Sequence, residues 1–435
     1  MSSMEGIFKL LTLITPGMVL KVGVLADDLT GAFDTGVQFR NWGFSVEVLI
    51  GEVKDSSQLG GVDVVVVDTE SRELKKEDAF WRIYRATEKL ISFGTERIYK
   101  KVDSTLRGNI GSELDAVMEA SKAKLAFFAP AYPTYGRTTL AGKQLVNNIP
   151  IDKTEYVNEL GVKTSEIAAI IGAQSKRLVG VVDFEKVDGG VDSITSAVEA
   201  LKKSGVEIVV FDVLTEKHLI DISLAARDTR VFVGSAGFAS EIPIGLGMRT
   251  PKPILSVCGS TRYLSRIQVH NLHDRLGFRE IGIGILKLID GEPTVKGEVE
   301  RCVREAVAAL KAGVDVSITS APKESSVNEF VYHALMRGIN DTEAKLCIEE
   351  AMGEITSTIL NETEVLGLIL TGGATSLKVC QKLEADRVSI VEEIEPGIPL
   401  VKLSNGMPAV TKAGGFGVED SLVQATQRLR RLMSK

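Results

Sequence analysis

The chain has 435 residues, 44% of them hydrophobic and 25% charged, with a formal net charge of -7. At ~100–200 residues per domain that length predicts two domains, or three, each able to bury a core. The acidic balance excludes broad electrostatic binding of nucleic acid and leaves room for a local cationic pocket for a small anion.

In chain order, residues 6–14 are mildly apolar but lack the charged leader and small-residue cleavage site of a secretory signal. No run reaches ~18 apolar residues, so no membrane span is expected and the expected location is cytoplasmic. The apolar run Val22-Gly23-Val24-Leu25 predicts a buried parallel strand. It leads into Ala26-Asp27-Asp28-Leu29-Thr30-Gly31-Ala32 and a helix over 30–42. Strands are predicted at 45–50, 62–67, 97–102 and 124–128, with helices at 77–93 and 109–122 between them. The same rhythm continues with strands at 177–182, 207–211 and 230–233. This is the βαβ order of a doubly wound parallel sheet. Residues 243–253, rich in Gly and Pro, are read as a linker. A second α/β segment follows, with strands at 253–257, 314–319 and 365–370 and helices at 298–312, 341–361 and 419–432. The predicted architecture is therefore α/β: two domains with mostly parallel sheets and a cleft between them.

The four cysteines, Cys258, Cys302, Cys347 and Cys380, have no CxxC spacing and suit a reducing compartment. His270 and His273 share an i, i+3 spacing without an acidic or Cys partner motif, which favours a solvated helix face over a metal site.

Chemistry concentrates at predicted strand ends. In the N-terminal half these carry Asp27 and Asp28, then Arg72, then Lys101 with Asp103 and Ser104, and Arg107 shortly after. Ends of parallel strands share one edge, where open α/β sheets bind ligands. Arg72, Lys101 and Arg107 can hold a carboxylate by charge-assisted hydrogen bonds, while aspartates accept from hydroxyls. Asp28 is the candidate general base, with Asp27 and Asp103 as alternatives. Equally, Asp27 or Asp28 could do no more than cap the next helix. The loop 130–139, with two prolines, two tyrosines and Arg137, reads either as a rigid packed connection or as a substrate cover.

In the C-terminal half, three small-residue turns follow apolar strands: Ser256-Val257-Cys258-Gly259-Ser260-Thr261, Thr371-Gly372-Gly373-Ala374-Thr375 and Lys412-Ala413-Gly414-Gly415-Phe416-Gly417. Such turns let backbone N–H groups approach a phosphate, and a helix N-terminus favours negative charge. They also simply close tight corners. There is no GxxxxGK[ST] and no GxGxxG in the first βα turn, so neither a P-loop nor a clear dinucleotide fingerprint is present. Taken together, a mixed-charge edge and phosphate-friendly turns suit phosphoryl transfer, which needs positioning and electrostatic stabilisation.

These pieces, with Asp68-Thr69-Glu70-Ser71-Arg72, Lys100-Lys101-Val102-Asp103-Ser104-Thr105-Leu106-Arg107-Gly108, Ala129-Pro130-Ala131-Tyr132-Pro133, Gly142-Lys143 and Gly234-Ser235-Ala236-Gly237, occur in the order of the four-carbon acid sugar kinase family, which the chain resembles after Met18. The resemblance implies an ATP-dependent kinase that phosphorylates the terminal hydroxyl of threonate, erythronate or 3-oxo-tetronate. It implies a sugar-acid domain over 19–245 and a nucleotide domain over 252–435. Substrate residues would be Asp27, Arg72, Lys101, Val102, Asp103 and Ser104, beside the Arg107 read from charge. Nucleotide residues would be Ser260 or Thr261, Gly372, Gly373, Ala374 and Thr375, and Gly414 with Gly415. Mg²⁺ would accompany ATP, with no ligand named and no dedicated metal site. The expected partners are a small sugar acid and ATP, with neither nucleic acid nor membrane, and self-association is left open. The alternatives are an NAD(P)-dependent sugar-acid oxidoreductase, marked by NAD(P)H turnover without ADP, and a non-catalytic sugar-acid-binding protein, marked by binding without turnover.

Overall fold

The computed structural model describes residues 21–51, 62–158, 163–248, 252–320 and 324–431. The chain divides into two compact units, with the division between Arg249 and Thr250.

The first unit is built on an eight-stranded sheet in the order β2-β3-β1-β4-β11-β5-β10-β9, every neighbouring pair parallel. The strands are β1 (Val22–Ala26), β2 (Val46–Ile50), β3 (Val64–Asp68), β4 (Arg97–Lys101), β5 (Ala126–Ala129), β9 (Val179–Val182), β10 (Ile208–Phe211) and β11 (Val231–Gly234). The central strands read as near-continuous apolar runs because helices cover both of their faces. VGVLA of β1 and IVVF of β10 are buried throughout. One face packs Val24, Val66, Phe39 and Phe44 together, and the other packs Leu25, Val67, Ile83 and Leu114. Helix Lys76–Ser92 buries Ala79, Ile83, Thr87 and Leu90, a stripe at helical spacing on one side of an otherwise charged helix. Each such Leu or Ile contributes on the order of 1.5–3 kcal/mol of burial.

The loop expected at 130–139 contains regular structure. Residues Pro133–Tyr135 form a 3₁₀ turn, and a three-stranded antiparallel sheet of β6 (Arg137–Leu140), β7 (Lys143–Val146) and β8 (Ile149–Pro150) follows. Tyr132 and Arg137 exchange backbone hydrogen bonds. The Tyr132 and Tyr135 rings meet edge to face at 4.6 Å, and Arg137 lies 5.7 Å from the Tyr156 ring. Of the two readings of this segment, the packed connection is the one with contacts behind it.

The second unit holds a seven-stranded sheet in the order β13-β14-β12-β15-β18-β17-β16. Its parallel part comprises β12 (Ile254–Cys258), β13 (Arg279–Gly282), β14 (Val316–Thr319), β15 (Gly367–Thr371) and β18 (Pro408–Lys412). An antiparallel hairpin, β16 (Val388–Glu395) and β17 (Ile398–Leu403), closes one side. The sequence reading missed this hairpin, although Pro396-Gly397 between two β-branched runs is a turn signal. Two long helices, Glu292–Lys311 and Asp341–Glu362, pack on the sheet. The first begins six residues before its predicted start, because Pro293 takes the first turn, where its missing N–H costs nothing.

The linker expected at 243–253 starts too early. Pro243 and Gly245 are buried in the helical turn Ile242–Gly245, where a Cβ added to Gly245 would lie 2.1 Å from the Ser223 carbonyl oxygen. Residues 249–251 lie outside the described residues, as do 1–20, which include the apolar segment 6–14. No described helix is long and apolar enough to cross a membrane.

Both sheets share one topological feature. In the first, the chain leaves β1 toward β3 and β2 on one side and returns to β4 on the other. In the second, β14 and β13 lie on one side of β12 and β15 on the other. Each sheet therefore has a switch point, between β1 and β4 and between β12 and β15. The loops there diverge to opposite faces and leave a crevice at the carboxyl edge.

Candidate active-site edges

The first crevice gathers the acidic and basic residues expected at strand ends. Asp27 directly follows β1 and is 3% exposed. Arg72 grips it with two bonds, Nε to Oδ2 at 2.7 Å and Nη2 to Oδ1 at 3.0 Å. The Arg72 Nη1 reaches Asp28 Oδ2 at 2.7 Å. Burial works against charge on Asp27, but Lys100, Arg72 and Lys101 outweigh it and hold the carboxyl below its usual range. Arg72 is thus already engaged by two carboxylates. Arg72 is therefore one member of a cluster rather than a free cation.

Asp28 is the helix cap that one of its sequence readings expected, and its second oxygen lies in the cluster. Its Oδ1 accepts from Gly31 N at 2.9 Å and caps helix Leu29–Asn41, while its Oδ2 faces Arg72.

Lys101, the last residue of β4, is 5% exposed and lies against the start of that helix: a Cβ on Gly31 would be 3.0 Å from its ammonium. Burial pulls its pKa below that of ordinary lysine, and Asp27, Asp103, Asp34 and Asp28 oppose that pull. Asp34 is a residue that the site prediction left out. It belongs with the cluster, because the helix carries it round to Lys101, and burial pushes its carboxyl up. Its place as the third carboxylate within eight residues after β1 was the available signal. Asp103 accepts from Thr105 at 2.5 Å and pairs with Arg107, and these contacts hold it low against burial.

Val102 is spoken for by the fold. Its side chain is in the core and its N–H donates to the Gly234 carbonyl at 2.9 Å. The Ser104 carbonyl accepts from Gln144 at 2.8 Å.

A supporting layer lies beneath. Lys100, fully buried, donates to Glu113 at 2.8 Å and to the Lys101 carbonyl at 2.5 Å. Glu113 accepts from Ser71 at 2.6 Å, and Asn109 donates to the carbonyls of Ser71 and Leu74. These bonds fix the Asp68–Arg72 turn that presents Arg72. Sequence reasoning did not anticipate the buried Lys100–Glu113 pair. Asp68 ends β3 with one oxygen buried and unpartnered among the described residues; burial, with Glu70 and Asp28 nearby, pushes its pKa up to about 6.

The second crevice brings the three small-residue turns together. Cys258 is register partner to Thr371, and Thr371 to Lys412, so β12, β15 and β18 end level with one another. Gly259 N donates to the Thr371 carbonyl at 3.1 Å, and Gly372 N to the Lys412 carbonyl at 2.9 Å. Ser260 Oγ accepts from Ser265 Oγ at 2.9 Å, and a Cβ added to Gly414 would stand 2.1 Å from it. A Cβ on Gly259 would stand 1.9 Å from Thr375 Oγ1. Both positions need glycine because neighbouring turns touch there. Helix Gly373–Lys382 starts at this edge, so the amides of Gly373, Ala374 and Thr375 have no acceptor within the helix. Gly373 and Ala374 are exposed, as are Thr261 and Gly415. The result is a cradle of backbone donors at a helix N-terminus, suited to phosphate.

Among the described residues no group of three or more His, Cys, Asp or Glu side chains is placed to hold a metal ion. His270 and His273 stand exposed on helix Tyr263–Leu276. The four cysteines are free thiols.

Comparison with known proteins gives the same division of labour. Residues 22–242 match the family profile described as a sugar-binding N-terminal domain, and residues 255–422 that of a nucleotide-binding C-terminal domain. The D-threonate kinase of Salmonella typhimurium is 32% identical over 93% of this chain and 97% of its own. The D-erythronate kinase of Heliobacterium modesticaldum is 30% identical over 92% and 95%. A Bordetella bronchiseptica crystal structure, a domain-swapped dimer with bound citrate, matches with a TM-score of 0.61 at 27% identity, covering 94% of this chain and 98% of that one.

Proposed function

Because the chain belongs to the four-carbon acid sugar kinase family, we propose that it transfers the γ-phosphoryl group of ATP to the terminal hydroxyl of threonate, erythronate or 3-oxo-tetronate. It is a sugar-acid kinase, and what remains to be assigned is the acid, the hydroxyl and the residues. The observation that carries the reading is the presence in one chain of two switch-point crevices of different chemistry. One has buried aspartates interleaved with Arg72, Lys101 and Arg107, and the other has a cradle of backbone donors. The citrate held by the Bordetella relative is a small polycarboxylate, in keeping with an anion site.

In this mechanism Lys101, Arg72 and Arg107 hold the substrate carboxylate, and Asp27 keeps Arg72 in place. Asp28 orients the acceptor hydroxyl and takes its proton. The hydroxyl oxygen forms the new bond to the γ-phosphorus as the bond to the β-phosphate oxygen breaks and ADP leaves. A loose transition state asks little of the base until that bond is largely broken, so a carboxylate already hydrogen bonded suffices. The turns at Ser260, Gly372–Thr375 and Gly414 hold the phosphate chain. Mg²⁺ would accompany ATP and offset its phosphate charge, and no protein ligand is assigned to it. ATP use and four free thiols fit a cytoplasmic setting.

The test is an ADP-release screen over four-carbon and neighbouring sugar acids, with the product assigned by ³¹P and ¹H NMR. Turnover is expected with a four-carbon acid and a phosphate on its terminal oxygen. NAD(P)H turnover without ADP, or binding without turnover, would overturn the reading.

A further inference from the structure

The three strands that feed the cradle end in Cys258, Thr371 and Lys412, side by side in register. Alternate residues of a strand share a face. These three therefore lie on the face of Ile254, Ile369 and Val410, beneath helices Tyr263–Leu276 and Ser421–Arg431. They are 1%, 0% and 3% exposed. All three groups can donate: a thiol, a hydroxyl and an ammonium. The thiol makes one long contact, 3.9 Å to the Ser260 carbonyl. Thr371 Oγ1 and Lys412 Nζ have no hydrogen-bond partner among the described residues.

An unpaired buried ammonium is costly to keep, and among the described residues this one makes no ion pair. A carboxylate in its surroundings is Glu395, which accepts from Ser421 at 2.5 Å through one oxygen and has no partner for the other among the described residues. Burial draws Lys412 below ordinary lysine, with Cys258 and Glu395 opposing. Directly beyond each strand end stand the turns of Ser260, Gly372 and Gly414. A positive charge under a cradle of backbone donors completes a polyanion site, and within the protein it acts with little screening.

We propose that Lys412, with Thr371 beside it, is the cation that binds the phosphate chain of the nucleotide in the second unit. This rests on the nucleotide assignment made above. The exposed Arg262 guanidinium lies against Gly414 and Gly415 at the rim of the cradle, and Lys412 is the buried full charge beneath it, so the two cations share the affinity for a polyphosphate.

The experiment is calorimetric titration of the full chain with ADP and with inorganic tripolyphosphate, comparing wild type, Lys412→Met and Glu395→Gln. Lys412→Met is expected to weaken both ligands at least tenfold. It should leave the affinity for the sugar acid unchanged and the melting temperature of the unliganded protein equal or higher, because a buried unpaired charge is gone. Glu395→Gln, which removes the opposing charge, is expected to bind ADP as tightly as wild type or more so. The proposal is overturned if Lys412→Met binds ADP within twofold of wild type. It is also overturned if both variants lower the melting temperature alike while ADP affinity weakens in Glu395→Gln, the signature of a structural pair. Should wild type itself bind neither ADP nor tripolyphosphate, the nucleotide assignment falls, and this inference with it.

Discussion

Asp28 caps a helix and, in the proposed mechanism, is also the base; a single substitution separates the two roles. Asparagine caps a helix about as well as aspartate, so Asp28→Asn keeps the bond to Gly31. It loses the charge facing Arg72 and the capacity to take a proton. We expect turnover to fall by about 10²–10⁴-fold, with thermal stability nearly unchanged; normal turnover in a steady-state ADP assay would remove Asp28 from the base role. The types of residue in this crevice were legible in the sequence, because charge at the end of an apolar run is unusual and therefore informative. The pairing was not. Arg72 reads as a free cation in sequence and proves to be committed to Asp27 and Asp28, since only the fold shows which strand ends are neighbours. Lys100 and Glu113 were invisible for the same reason: a strand residue and a residue of the following helix carry no sign in sequence that they are buried together.

At the level of elements, the long helix Glu292–Lys311 is tied to the segment before it through Glu298. That carboxylate accepts from the Gly284 amide and from Lys287, each at 2.7 Å, and pairs with Arg301. Burial opposes its charge, but the bonds from Arg301, Lys287 and Gly284 prevail and hold the carboxyl at about 2. The folded state thus releases this proton more readily than the unfolded chain. The resulting stability is present above the unfolded pKa of about 4.5 and is lost as pH falls toward about 2. Glu298→Gln should cost about 2 kcal/mol at neutral pH, less than the full shift implies because Arg301 and Lys287 are partly solvated. Urea titrations should show the gap from wild type closing across that acid window. The turns allow a second prediction. Gly259→Ala sets a methyl against Thr375 Oγ1, and the turn must shift. ATP KM should rise at least about tenfold, a change of about 1.4 kcal/mol, with sugar-acid KM unaffected. Adding Thr375→Ala should recover part of it, since the pair shares one contact. Most parallel strands were marked in sequence by apolar runs ending in polar residues, but β13, with REIG, and β18, with PAVTK, have no such run and were not predicted. The β16–β17 hairpin was not marked either, because its exposed Val388, Ile390 and Val391 alternate weakly with polar neighbours and resemble an irregular segment.

For the whole molecule, the two crevices predict a divided ligand footprint. In hydrogen exchange, the accepted sugar acid should protect amides around 27–31 and 101–108, and ADP those around 259–265 and 372–376. Protection of the glycine turns by the sugar acid alone would contradict the assignment. Each switch point is also built from one contiguous stretch of chain, the first within residues 26–108 and the second within 258–415. On the proposed assignment, the groups that recognise the acid and those that recognise the nucleotide lie in separate halves of the chain, so exchanging residues before about 250 between two relatives should transfer acid specificity alone. A chimera carrying residues 22–248 of a relative with a different acid should take on that relative's acid preference while keeping its own KM for ATP.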